Sequence, residues 1–300
     1  MRNIYLPLLL SAALLTGCGA QVADRADLPQ ETPPTVQTQA RQELRYQVTL
    51  EPFERTAYAE DGQLLATYHV QVPVLTAVLE DGTPLTEPTG DAEQKAAAAA
   101  ETFNRKFAIW TEEEAFRELT DSARWEMEQR LQNGQLFPAN YALDLSCSVY
   151  ETERLISVAG LCYSNTGGAH PNTWQLGWNF DLETGTFFDG ALLTADSSGF
   201  QSAVAEELIR QAGEIARENG MAPEEMYWPE YESVLRDWVN YTVYFDATGM
   251  NVVFSPYELA AYAAGAQEFH FSYEKLAPLL SKQGCAVLGL ECDQDEMTGN

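Results

Sequence analysis

Two runs of alternating polar and apolar residues constrain this chain more than any other feature. They are LRYQVTLEPFERTAY from Leu44 and QLLATYHVQVPVL from Gln63, on either side of the turn signal Asp61-Gly62. A period of two, rich in β-branched and aromatic side chains, marks half-buried strands, so 44–60 and 63–79 read as a hairpin. The period then changes. Ala96 to Ala100 are strong helix formers, and Phe103, Phe107 and Trp110 recur at i, i+4 and i+7. This predicts one long helix from an N-cap at Asp91 to Leu131, stopped at Asn133-Gly134, with its aromatic stripe in the core. Paired strands recur over 139–163. Helices follow at about 200–219 and 223–238, then a hairpin turning at Asp246–Gly249, one more strand, and a closing helix in YEKLAPLLSK. Strand pairs on short turns mixed with helices predict an α+β fold of antiparallel sheets with packed helices. Two parts are expected, 44–135 and 136–284, ahead of a cysteine-containing tail, 285–300.

The leader places the folded part. MRNIYLPLLLSAALLTGCGA carries Arg2 and then an apolar run from Ile4 to Leu15. A bilayer-spanning helix needs about 20 apolar residues, so this run is too short to span. It suits the apolar region of a secretory signal, about 7–15 residues long. Leu15-Thr16-Gly17-Cys18 matches a lipobox, in which small residues admit the lipoprotein signal peptidase and the thiol of Cys18 carries diacylglycerol. The expectation is a signal peptide at 1–17, a lipid on Cys18 that tethers the chain to a membrane, and an extracytoplasmic domain in the cell envelope. Residues 19–43 lack aromatics and include Pro29, Pro33 and Pro34, so 18–43 reads as a lipidated disordered linker.

Charge narrows the partners. The chain has 45 acidic against 17 basic residues, a net charge of −28, and cleavage before Cys18 would remove one base more. The acids are interspersed with 14 Tyr, 13 Phe and 6 Trp, which supports a packed core and not an acidic disordered tail. Nucleic acid, anionic lipid and anionic wall polymers are repelled by such a surface. A basic protein is attracted, with an on-rate that falls as salt rises.

With Cys18 lipidated, Cys147, Cys162, Cys285 and Cys292 remain, an even number in a compartment that permits disulfides. Three connectivities are open, and closeness favours 147–162 and 285–292. A two-strand hairpin with an even-length turn pairs residues whose numbers sum to an odd value, as 147 and 162 do.

No HExxH, GxSxG, Walker loop or GxGxxG occurs. His69, His170 and His270 lack metal spacing, and no CxxC completes a zinc set. Asp293, Asp295 and Glu296 begin like a calcium loop, but Thr298 stands at its sixth position and no twelfth-position glutamate follows. No metal or cofactor is expected. Paired carboxylates for sugar chemistry would be recognised only by geometry.

One resemblance sharpens the reading. Thr166-Gly167-Gly168-Ala169-His170, then Asn179-Phe180-Asp181-Leu182 with Thr184-Gly185, and Pro256-Tyr257-Glu258 ahead of Tyr262-Ala263-Ala264-Gly265 are distinctive. Together they resemble the RsiV-like envelope domain, formally of unknown function, whose best-known bearer is the ectodomain of a lysozyme-sensing anti-sigma factor. Val72-Pro73-Val74-Leu75 and the 91–131 helix resemble the module before that domain, found also before the catalytic domain of the peptidoglycan deacetylase PdaC. The resemblance spans 44–282. It implies a non-catalytic binding or sensing module whose ligand is a basic protein such as lysozyme, or a cell-wall fragment. The deacetylase's metal and histidine motifs are absent, as are the anti-sigma segment and membrane helix, and Ala261 stands where the family often has proline. A wall-acting enzyme and a structural envelope component remain the alternatives. Candidate contact residues are Tyr257, Tyr262 and Gly265 first, then His170 and Trp174. From the residues alone, Gly167-Gly168 serve a sharp turn in which His170 is hydrogen-bonded.

Overall fold

Turn chemistry acts first at the N-terminal hairpin, β1 (Arg45–Tyr58) and β2 (Leu64–Val78). Gly62 takes φ +84°, and the Asp61 carboxylate accepts the Gln63 N–H at 3.0 Å, so Asp61-Gly62 closes the turn as expected. The computed structural model describes residues 44–137, 141–168 and 170–292. Cys18, the linker and the acidic run after Cys292 lie outside these residues.

The expected helix over 91–131 runs from Asp91 to Gln132 in three pieces: α1 (Asp91–Ile109), a wide π turn (Trp110–Arg117) and α2 (Glu118–Gln132). In the π turn the spacing of like-facing residues widens, so that Trp110 and Ala115, five apart, are both buried. Phe103 and Phe107 pack with Leu75, Val158 and Phe180, which fixes α1 on one face of a six-stranded sheet.

That sheet has the order β1-β2-β3-β4-β5-β6, with β3 Tyr141–Glu151, β4 Leu155–Asn165, β5 Asn172–Asp181 and β6 Thr186–Phe188. It crosses the boundary expected at 135/136, because β2 pairs with β3. This pair is parallel, over Ala66–Val70 and Tyr141–Leu145, whereas every other pair in the sheet is antiparallel. The reason is topological: the helix returns the chain to the end from which β2 started. Beyond Val70 the two strands diverge, and side chains satisfy the freed backbone. Asn104 accepts from the Leu75 N–H at 2.7 Å and donates to its carbonyl at 2.9 Å, while Gln71 accepts the Cys147 N–H.

The β3–β4 register corrects the expected 147–162 disulfide. Cys147 lies opposite Gly160 and Cys162 opposite Leu145, and both thiols are free. A disulfide needs Cβ atoms about 3.8 Å apart, whereas diagonal neighbours on adjacent strands sit near 7 Å. The turn is centred between Glu153 and Arg154, one residue earlier than the bond requires, because Thr152 Oγ accepts both the Arg154 and Leu155 N–H groups. Burial pushes both thiols up to about 12. The second pair does form: Cys285 and Cys292 are bonded. Cys285, Val287 and Leu288 are core residues, so the start of the expected tail is packed.

The rest of the chain builds a second, antiparallel sheet, β7 (Thr242–Phe245), β8 (Gly249–Phe254) and β9 (Gln267–Ser272), in the order β7-β8-β9. Its core is shared with α3 (Ser197–Glu218), through Val204, Leu208 and Ala212 against Val252, Phe254 and Phe269. The helix expected over 223–238 is instead broken into α4 (Pro223–Met226) and α5 (Tyr231–Arg236), because Tyr227 bridges to Ala260. Short helices α6 (Tyr273–Leu276) and α7 (Lys282–Leu288) close the domain.

Candidate functional site

The two sheets meet where the family-like motif residues lie. A Cβ on Gly177 of β5 would stand 2.3 Å from the Val243 carbonyl oxygen, so only glycine admits β7 here. Ser157, buried on β4, donates to Asn179 Oδ1 at 2.8 Å and accepts the Phe245 N–H at 2.7 Å. Asn179 completes the bridge by donating to the Val243 carbonyl at 2.9 Å. Asp181 bonds Arg154 at 2.8 Å, and that guanidinium holds its carboxyl below the usual range against the opposing effect of burial. Asn179, Phe180, Asp181 and Gly185 are therefore architectural: they seat one sheet on the other.

That seating brings two loops together. The first precedes β5 and carries Gly167, at φ +76°, and His170. The second follows β8 and runs from Ser255 to Ala266. His170 Nδ1 lies 2.9 Å from the Pro171 carbonyl oxygen, which can only accept, so Nδ1 carries a proton. In the neutral ring Nε2 is then the acceptor, and it takes the Tyr257 hydroxyl at 3.2 Å. The His170 ring stacks on Tyr262 with centroids 4.1 Å apart, and Tyr257 and Tyr262 are 5.5 Å apart. Tyr262 also donates to the Pro171 carbonyl, at 3.0 Å. Three residues from segments far apart in sequence thus form one stacked, hydrogen-bonded surface cluster.

The second loop is braced from behind. Trp228 donates from its indole to the Tyr257 carbonyl at 3.1 Å and from its backbone to Leu259 at 2.8 Å. Glu258 accepts the Ser255 N–H at 2.6 Å; desolvation pushes its carboxyl above the usual range while that bond opposes the rise. Tyr257 is 52 % exposed and has φ +77°, the one positive φ among the described non-glycine residues. A bulky side chain in this region is strained, and such strain gathers at functional positions. Gly265, at φ +70°, closes the short turn after Tyr262.

Of the sequence candidates, the structure joins Tyr257, Tyr262 and His170, with Gly265 shaping the loop. Trp174 is not among them. It lies on β5 opposite Cys162 and packs against the core beneath the long helix. Trp228 and the Pro171 carbonyl were missed; Trp228 had read as one residue of a helix face, and backbone groups leave no mark in a sequence. The other histidines are structurally paired: His69 with Asp144 and His270 with Asn251, each at 2.9 Å. Among the described residues no group of three or more His, Cys, Asp and Glu could hold a metal, and no helix is long and apolar enough to cross a membrane.

Comparison with known proteins agrees with this picture at the level of fold. A family model described as a protein of unknown function, DUF3298, matches residues 194–274, which include α3, the second sheet and the Tyr257–Gly265 loop. A crystal structure of a DUF3298-family member from Bacteroides fragilis is similar over 82 % of this chain and 96 % of its own, with 15 % identity and a TM-score of 0.51. Another, from Pseudomonas aeruginosa, aligns over 80 % and 96 % with 14 % identity and a TM-score of 0.45. No curated protein matches the chain. The chain carries a DUF3298 domain match and has an α+β fold like that of the Bacteroides protein.

Proposed function

We propose that this chain is an extracytoplasmic lipoprotein whose RsiV-like domain is a non-catalytic recognition module for a basic wall-active protein such as lysozyme. The observation that carries the reading is the His170–Tyr257–Tyr262 cluster: pre-stacked, hydrogen-bonded and exposed on a protein of net charge −28. Aromatic anchors already locked in place lose little side-chain freedom on binding, and such residues supply most hot-spot energy. The surrounding negative charge steers a cationic partner and sets the on-rate more than the affinity. The lipobox at Cys18 supports a tethered, outward-facing position for this surface.

The test is surface plasmon resonance of the soluble part, from Gly19, on immobilised lysozyme and on cytochrome c as a basic protein of similar size. The expected result is saturable binding to lysozyme alone, with association slowed far more than dissociation is hastened between low and physiological salt. Equal binding to both proteins, or none to lysozyme at low salt where attraction is strongest, overturns the proposal.

A further inference from the structure

A second surface lies along the other face of the Gly167 loop. A hollow of about 320 Å³ opens between the π turn and the first sheet, lined by Trp110, Glu114, Glu118 and Trp174. It shares Ser122 and Thr166 with a hollow of about 530 Å³ that runs on past Trp125, Asp121 and Tyr141, so the two form one cleft. Its floor is fixed: Trp110 packs edge-to-face on Trp178 at 5.8 Å, and Trp174 packs on the core. Its rim is open, with Trp125 64 % exposed.

Two features decide what the cleft takes. The helix stripe facing it, Glu114, Glu118, Ser122 and Trp125, is spaced as one face. Glu114 and Glu118 are like charges one turn apart, which oppose the helix they sit on. The nearby arginines are engaged elsewhere, Arg117 with Glu113 and Arg124 with Asp121, so Glu114 and Glu118 form no ion pair among the described residues. No basic side chain lines either hollow. Aromatic faces beside uncompensated carboxylates suit a planar cation, which stacks on the rings and bonds the acids at once.

We infer that this cleft is a docking site for an arginine-bearing segment of a partner protein, with Trp125 and Trp174 taking the guanidinium face and Glu114 and Glu118 its N–H groups. The site stands apart from the tyrosine cluster, so each can fail alone.

Isothermal titration of the soluble part with hexa-arginine tests the inference. Glu114→Gln/Glu118→Gln should weaken binding about tenfold and Trp125→Ala several-fold, with unchanged melting. Glu101→Gln/Glu274→Gln, the same charge change on exposed residues outside the cleft, should cost less than threefold. Hexa-lysine should bind several-fold more weakly than hexa-arginine, because an ammonium does not stack as a plane. Equal losses in the two glutamine pairs would reduce the effect to net charge and overturn the site. Binding of tri-N-acetylchitotriose that Trp125→Ala abolishes, with no response to hexa-arginine, would also overturn it and reassign the cleft to a glycan.

Discussion

Ser157→Ala probes the joint on which the tyrosine cluster depends. Ser157 is 1 % exposed, and its hydroxyl serves both sheets, donating to Asn179 Oδ1 and accepting the Phe245 N–H. Alanine fits the same space, so packing is little changed and the loss is almost wholly polar. Two buried groups, one donor and one acceptor, lose their partner. A buried group left unsatisfied costs about 1–3 kcal/mol, which places the variant roughly 2–5 kcal/mol below the parent. A domain of this size has about 5–15 kcal/mol in total, so it stays folded. At about 2–4 °C per kcal/mol, a loss near 3 kcal/mol lowers the melting temperature by roughly 6–12 °C. Urea titration followed by tryptophan fluorescence should show a lower midpoint and an unchanged slope. Asn179→Ala should cost a similar amount, and the double variant clearly less than the two losses together, because one bond is counted in both. Additive losses, or a Ser157→Ala loss below about 0.5 kcal/mol, would show that the polar bridge does not hold the sheets and that packing at Gly177 does.

Other outcomes follow from the same structure. Glu207 bonds Arg210 and Lys275, and chiefly through Arg210 its carboxyl falls to about 2, so its contribution is present above pH 4.5 and lost as pH falls toward 2. Glu207→Gln should lower the melting temperature at pH 7 by an amount that vanishes near pH 2, and a pH-independent difference would contradict this. Its partners are partly exposed, so the loss should be only about 1 kcal/mol. Thiol labelling of the unfolded, unreduced chain from Gly19 should find two cysteines, Cys147 and Cys162; four would break the Cys285–Cys292 assignment and none would restore the 147–162 bond. Replacing Cys285 and Cys292 by serine closes no loop and should cost about 2–3 kcal/mol in urea titration, given how short that loop is. For the tether, Cys18→Ser should release the protein from membranes or leave its precursor uncleaved, and fractionation identical to the parent would contradict the lipobox reading.

Local pattern carried most of the architecture. The hairpin at Asp61-Gly62 and the aromatic face of the long helix were legible because their periods differ and each is sustained. The π turn was not: the spacing from Trp110 to Ala115 departs from 3.6 only once tertiary packing pulls both inward. The parallel β2–β3 pair could not be read either, since nothing in two alternating strands states the direction of the chain between them. The 147–162 bond failed through a turn centre misplaced by a single residue, which moves a register by two. At the site, the motif residues were found but their roles were mixed. Asn179 and Asp181 belong to the joint, Trp174 to the core and the cleft, and His170, Tyr257 and Tyr262 to the exposed cluster. Only the meeting of the two sheets separates these roles.

Tyr257→Gly is the most direct test of the recognition surface. Glycine adopts φ +77° without the steric cost that tyrosine bears, a relief of about 1 kcal/mol that offsets the freedom glycine adds to the unfolded chain. The variant should therefore melt at or above the parent temperature while losing the ring on which the cluster ends. Titrated against lysozyme, it should bind at least tenfold more weakly, about 1.4 kcal/mol. Parent-like affinity in a protein that melts like the parent would contradict the assignment of recognition to this cluster.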